Sequence, residues 1–418
     1  MPVQKNNSTQ TIKQNSPLFV YTLLIAVVIA TFFLRGFELP SSYIRTTSYL
    51  IPIIVLLMLI YLGIASQDPK LITFPRQQYI LLCSFIFLLT TSIIYNYLVF
   101  ELEVSVLQFT IELYLNVVLF ICVFILSRQI NTQYILDSIL ISGFAFALLI
   151  LYIGFVELEI VYRVGTTHLP ISVNHLSHAL AAAFAIGLCR FYYRGNRLNM
   201  MLIVLPTILV ALILTGARSG LLAVSVAIGL LVVFHGWSFI MRSATAIIGG
   251  SLAFIAFATS VIEFRGDGGT DRVSYTVLVD GLSGRFGLFL EVLTLIFSSP
   301  QTILFGVAME NYVLFANTAI IADPHNIWLS FGLYFGIPSA IAFLLLHASI
   351  FIKATQMIVS GRDQTETMMS LFLMLVIVSI YVFFSGRMTR IFTIWVVMAL
   401  VLGRVVTISK ANTNIGHP

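Results

Sequence analysis

The chain alternates long apolar runs with short polar interruptions. Most runs hold about 20 residues, the length a helix needs to cross a hydrocarbon core about 30 Å thick. Runs near 18–34, 47–65, 79–99, 105–127, 134–156, 174–192, 200–216, 220–236, 244–262, 326–350, 367–385 and 391–408 predict about twelve spanning helices. Backbone groups exposed to lipid find no water to bond, so helix is the expected form of each run. The expected fold is an all-α polytopic membrane protein. Residues 1–418 form a single integral-membrane domain, and one long loop, 263–325, separates the ninth and tenth spans. The sequence carries no clear internal repeat and no separate soluble domain.

Composition agrees with the pattern. Hydrophobic residues make up 59% of the 418 positions and charged residues 9%, against roughly 25% charged in soluble domains. Cys83, Cys122 and Cys189 lie in apolar runs with neither paired nor metal-like spacing, so no disulfide framework is expected. The net charge of +5 reflects basic loops rather than a nucleic-acid surface. A polar stretch with Lys5 and Lys13 precedes the first run, which reads as an uncleaved span with its N-terminus inside.

Charge then sets an orientation. With the N-terminus inside, all five lysines (Lys5, Lys13, Lys70, Lys353 and Lys410) fall on the inner side. The cations left for the outer side are arginines: Arg35, Arg45, Arg163, Arg218, Arg265, Arg272, Arg285, Arg387 and Arg390. Arginine presents a planar fork suited to bidentate phosphate contact, whereas lysine is a point charge. The outer face therefore offers phosphate geometry as well as charge.

Two outer connections are long, near 157–173 and over 263–325. Within the second, Arg285 to Phe297 predicts a short helix lying in the outer interface, too short to span and ended by Ser298, Ser299 and Pro300. The loop closes at His325, where a hydrophobic helix resumes. Asp323 is a candidate cap for that helix and Pro324 a candidate first residue.

Several side chains are candidates for chemistry. Arg218 lies in the short outer turn Leu214 to Gly220. At that depth a guanidinium either snorkels to lipid phosphate or clamps a ligand phosphate. Arg285 opens the interfacial helix and is equally readable as a loop charge. Arg387 and Arg390 share another short outer turn, where at least one reads as an interfacial anchor. Arg163 is placed to line the same cavity. His325 is the candidate base, since imidazole takes a proton at working pH; a solvated or structural histidine is the plain alternative. His175 and His178 share a helical face, but no thiolate or carboxylate completes a metal set. His235, His347 and His417 read as incidental. Glu112 and Asp137 fall inside spans and should face the bundle. With no P-loop and no dinucleotide fingerprint, a nucleotide donor has no support in the sequence.

The ordered set of motifs resembles the superfamily of bacterial O-antigen ligases and O-antigen polymerases. The resemblance covers about Arg163 to Arg390 and the twelve-span layout. It is carried by Thr215-Gly-Ala-Arg218-Ser-Gly220, by Ser283-Gly-Arg285 before a Leu/Phe-rich helix, and by Pro324-His325-Asn326 followed by Gly336-Ile-Pro-Ser339. Ser339 stands where the family pattern has a second glycine. The resemblance implies a metal-independent, cofactor-free, inverting glycosyltransferase of the bacterial inner membrane, with its site facing the periplasm. Its donor would be a glycan on undecaprenyl diphosphate, and its acceptor a hydroxyl of another glycan or of lipid A–core. His325, Arg218 and Arg285 would be catalytic; Arg163, Arg387, Arg390 and Asn326 would bind substrate. Membrane lipids and a chain-length regulator are the other expected partners. The compact 263–325 loop and the Pro-His-Asn form favour a polymerase over a ligase. A flippase or transporter is a further alternative, although polar residues gather at the outer side rather than the midplane.

Overall fold

Eleven of the twelve apolar runs coincide with helices in the computed structural model; the run 244–262 lies outside the described residues. The structure describes residues 18–33, 51–62, 74–100, 104–153, 173–194, 200–215, 217–241, 287–307, 326–384 and 392–415. The helices are α1 (Leu18–Phe32), α2 (Ile51–Leu62), α3 (Arg76–Phe100), α4 (Val104–Ser127), α5 (Thr132–Tyr152), α6 (Val173–Arg194) and α7 (Met201–Leu214). Then come α8 (Arg218–His235), α9 (Gly287–Ile296), α10 (Pro300–Phe305), α11 (Ile327–Val359), α12 (Glu366–Phe384) and α13 (Phe392–Ile415). There is no strand among the described residues. Seven of these helices are long and apolar enough to cross a membrane.

Small residues let the helices approach closely, as is usual where lipid supplies no hydrophobic drive between them. Cβ atoms built on Gly143, Gly220 and Gly403 would overlap Ala183, Ser177 and Ser127, which joins α5 to α6, α8 to α6, and α13 to α4. An aromatic layer fills the centre. Phe85 of α3, Phe120 of α4, Phe331 and Phe343 of α11 and Trp395 of α13 meet at centroid distances of 4.7–5.8 Å. All five are fully buried.

The run expected as one span over 326–350 is not a straight helix. At Gly336 the backbone takes φ 80 and ψ 161, a region open to glycine and costly to other residues. Pro338 follows in the first turn of the next leg, where its missing N–H costs no hydrogen bond. An unbroken helix rising 1.5 Å per residue would hold Trp328 and His347 about 28 Å apart and Phe331 and Phe343 about 18 Å apart. Their ring centroids are 6.0 and 4.7 Å apart. The first leg, 327–335, therefore folds back along the second, 337–359. It begins inside the bundle, with Asn326 3% and Ile327 0% exposed.

Two short helices brace this vertex. The helix expected over Arg285 to Phe297 is present as α9, with Leu288, Val292 and Ile296 buried on one stripe. After it, Ser299 and Thr302 form a capping box and Pro300 starts α10. The end of α10 is wedged against the vertex. A Cβ on Gly306 would overlap Tyr334, and one on Gly336 would overlap Leu304. The Val307 N–H donates to the Leu333 carbonyl (2.8 Å) that the break leaves without its usual helical partner. Ser92 and Asn96 of α3 both donate to the Phe305 carbonyl, Asn96 at 2.8 Å. Ser339 donates its hydroxyl to the Phe335 carbonyl (2.9 Å) and is buried.

Candidate functional site

The turn that presents Arg218 is shaped by Thr215. Its hydroxyl donates to the Leu212 carbonyl (2.6 Å) and accepts from the Ala217 N–H (3.3 Å). The chain thereby leaves α7 and enters α8 within three residues, and Arg218 becomes the first residue of α8. Its side chain is exposed, while Ala217 and Gly220 on either side are buried. Gly220 rests on Ser177, so the start of α8 is packed against the start of α6. The guanidinium thus stands at a helix N-terminus whose macrodipole also favours an anion.

The same end of α6 is polar inside the bundle. His178 and His175 are each 3% exposed. His178 Nδ1 lies 2.6 Å from the Asn174 carbonyl. A carbonyl only accepts, so Nδ1 carries the proton and Nε2 holds the lone pair. His175 Nδ1 lies 3.3 Å from the Tyr381 hydroxyl of α12, and the Tyr381 ring packs 4.6 Å from the His178 ring. The two imidazoles face α12 and their own helix backbone. Among the described residues no group of three His, Cys, Asp or Glu side chains could hold a metal ion.

Asn326 caps the first leg of α11. Its Oδ1 accepts from the N–H groups of Trp328 (3.0 Å) and Leu329 (3.1 Å). The helix therefore starts three residues later than a cap at Asp323 would place it. The oxygen is engaged by the cap, so the helix start already occupies the acceptor of this side chain. His325 directly precedes this cap in sequence. His325, Arg285, Arg163, Arg387 and Arg390 all lie outside the described residues.

Sequence reasoning passed over His347. It is 6% exposed, reaches Ser379 of α12 through Nε2 (2.9 Å) and lies under the near-parallel ring of Trp328. The fold-back at Gly336 makes this pairing. The available signal was that an ionisable side chain within a span is costly unless it is partnered or functional.

The opposite end of the bundle is a network of charges. Arg190 pairs with Asp137 and, at 3.2 Å, with Glu366; Arg194 reaches Glu366 at 2.7 Å. Gln133 donates to Glu366 (3.0 Å) and accepts from Thr367 (2.7 Å). Arg404 pairs with the buried Asp363 at 2.9 Å. Asp137, expected to face the bundle, does so as part of this network. No family model and no curated protein matches the chain.

Proposed function

We propose that this chain is a membrane glycosyltransferase of the O-antigen polymerase type. It takes a glycan from undecaprenyl diphosphate at the periplasmic face of a bacterial inner membrane and joins it to a hydroxyl of a second lipid-linked glycan. The observation that carries the reading is Arg218, an exposed arginine at the first residue of α8 within the motif Thr215 to Gly220. A diphosphate leaving group needs such a cationic, geometrically fixed partner.

In the reaction, His325 takes the proton of the acceptor hydroxyl. The freed oxygen attacks the anomeric carbon from the side opposite the diphosphate, and the bond from that carbon to the phosphate oxygen breaks. Arg218 and Arg285 stabilise the negative charge that collects on the departing undecaprenyl diphosphate. Arg163, Arg387, Arg390 and the Asn326 amide hold donor and acceptor. Confinement of both substrates to one leaflet supplies proximity. No metal or cofactor takes part in this scheme.

The test is a lipopolysaccharide gel of cells lacking the gene, complemented with wild type, His325→Ala or Arg218→Ala. A polymerase leaves lipid A–core capped by a single repeat in the null and in both variants. Bare core, with long glycan still on the lipid carrier, would make the protein a ligase. A normal ladder from His325→Ala at normal expression would remove the histidine from the mechanism.

A further inference from the structure

We propose that Trp328, His347 and Phe383 form a subsite for a sugar ring, in which one ring hydroxyl bridges the Trp328 indole N–H and the His347 imidazole. That the ring belongs to a glycan substrate rests on the reading as a glycan transferase. The subsite itself rests on geometry.

The first element is an orphan donor. Trp328 Nε1 is buried and has no hydrogen-bond partner among the described residues. A buried N–H without a partner carries a desolvation cost that a ligand oxygen can relieve. The second element is an acceptor beside it. The Ser379 hydroxyl donates its one proton to the Leu375 carbonyl at 2.6 Å, so it accepts from His347 Nε2 at 2.9 Å. That bond places the imidazole proton on Nε2 and leaves Nδ1 with the lone pair. Among the described residues Nδ1 meets no donor. The indole lies nearly parallel to this imidazole, at 10° with centroids 6.0 Å apart.

A hydroxyl both donates and accepts, so a single hydroxyl can accept from the indole and donate to Nδ1. The third element is the surround. Trp328 is half-buried, and Phe383 packs 5.6 Å from it while remaining 40% exposed. Aromatic faces beside a paired donor and acceptor match a pyranose, which has an apolar C–H face and a hydroxyl rim. The fold-back at Gly336 assembles these groups. It also puts them one turn from Asn326, at the start of the leg that His325 precedes in sequence.

The experiment uses the full chain in lipid nanodiscs, titrated with methyl glycosides of glucose, galactose, rhamnose and N-acetylglucosamine and read by saturation-transfer NMR. Wild type and a Trp237→Phe control should bind at least one glycoside saturably. Trp328→Phe keeps an aromatic face but loses the N–H. His347→Gln keeps a donor for Ser379 but loses the imidazole lone pair. Each should raise Kd about fivefold or more, the worth of one buried hydrogen bond, with thermal midpoints near wild type. Absence of saturable binding by wild type, or unchanged affinity in both variants, overturns the subsite. The two readings fail separately. A normal lipopolysaccharide ladder in the null strain ends the polymerase reading, whereas the glycoside titration alone decides the subsite.

Discussion

At the scale of single residues, two side chains make different demands. Asn326 is a helix cap before it is anything else, because its Oδ1 already holds the Trp328 and Leu329 N–H groups. Asn326→Ala should cost about 1 kcal/mol of stability, and Asn326→Asp should recover most of it by restoring the acceptor. Thermal unfolding of the purified chain checks both. If Asn326→Asp unfolds like wild type yet loses transfer, the amide NH2 has a role beyond the cap. As the proposed diphosphate clamp, Arg218 would act through its geometry, so its charge alone should not suffice. Arg218→Lys is expected to lower transfer roughly 10- to 100-fold and Arg218→Ala about 100- to 1000-fold, in line with loss of an oriented charge-stabilising donor. Thermal midpoints of both variants separate a loss of transfer from a loss of fold. Initial rates on a lipid-linked donor measure the effect; equal activity of Arg218→Lys and wild type would reduce Arg218 to a plain charge.

At the scale of elements, the folded-back α11 is the distinctive feature. A Cβ built on Gly332 lies 3.9 Å from the Ala340 Cβ, within the range a disulfide bridges. In an unbroken helix those positions would stand about 12 Å apart. A Gly332→Cys/Ala340→Cys pair, introduced after replacing Cys83, Cys122 and Cys189, should therefore close under mild oxidation. It should then resist maleimide labelling at both thiols, given a small shift of the Ile296 side chain, whose Cδ1 would sit 3.2 Å from the new Cβ. Persistent labelling of both thiols would mean that α11 runs straight. The vertex also sets a mutational contrast. Gly336→Ala forces an alanine to φ 80 and into the Leu304 backbone, so it should reduce folded yield sharply. Gly229→Ala on α8 meets nothing within 4 Å and should leave yield unchanged. Size-exclusion profiles from detergent extracts compare the two.

At the scale of the whole molecule, polarity is concentrated at the two ends of an apolar bundle, and the ends differ. At the Arg404 end the charges are paired with one another, and Glu366 joins Arg190 and Arg194 to Gln133 across α5, α6 and α12. Removing Glu366 leaves two arginines short of a partner. Glu366→Gln should destabilise by about 3 kcal/mol, the lower end for breaking a buried pair. Asp137→Asn should cost less, because Arg190 keeps Glu366 and Asp137 is the more exposed partner. Denaturation midpoints in one detergent order the two variants, and the reverse order would make Asp137 the anchor of the network. At the Arg218 end, Arg218 is exposed at the start of α8, whereas His175, His178 and the capped start of α11 are buried.

Much of this was legible in the chain. Apolar runs of spanning length determined where helices form, because lipid leaves the backbone no other way to satisfy its hydrogen bonds. Helix α9 was visible in its own length and pattern, and Ser298 to Pro300 marked its end. Arg218 stood out because a short turn between apolar runs gives a guanidinium nowhere to hide. Tertiary structure decided what depends on contacts between distant segments. Sequence spacing put Trp328 and His347 at opposite ends of one helix, and a single positive φ at Gly336 made them neighbours. Asp137 and Arg190 were separate charges until helix packing paired them. Periodicity reports which residues a helix buries, but not where that helix turns back or whose side chain it meets. The direction of α11 was set by Gly306 and Gly336, where the missing side chains let two backbones touch.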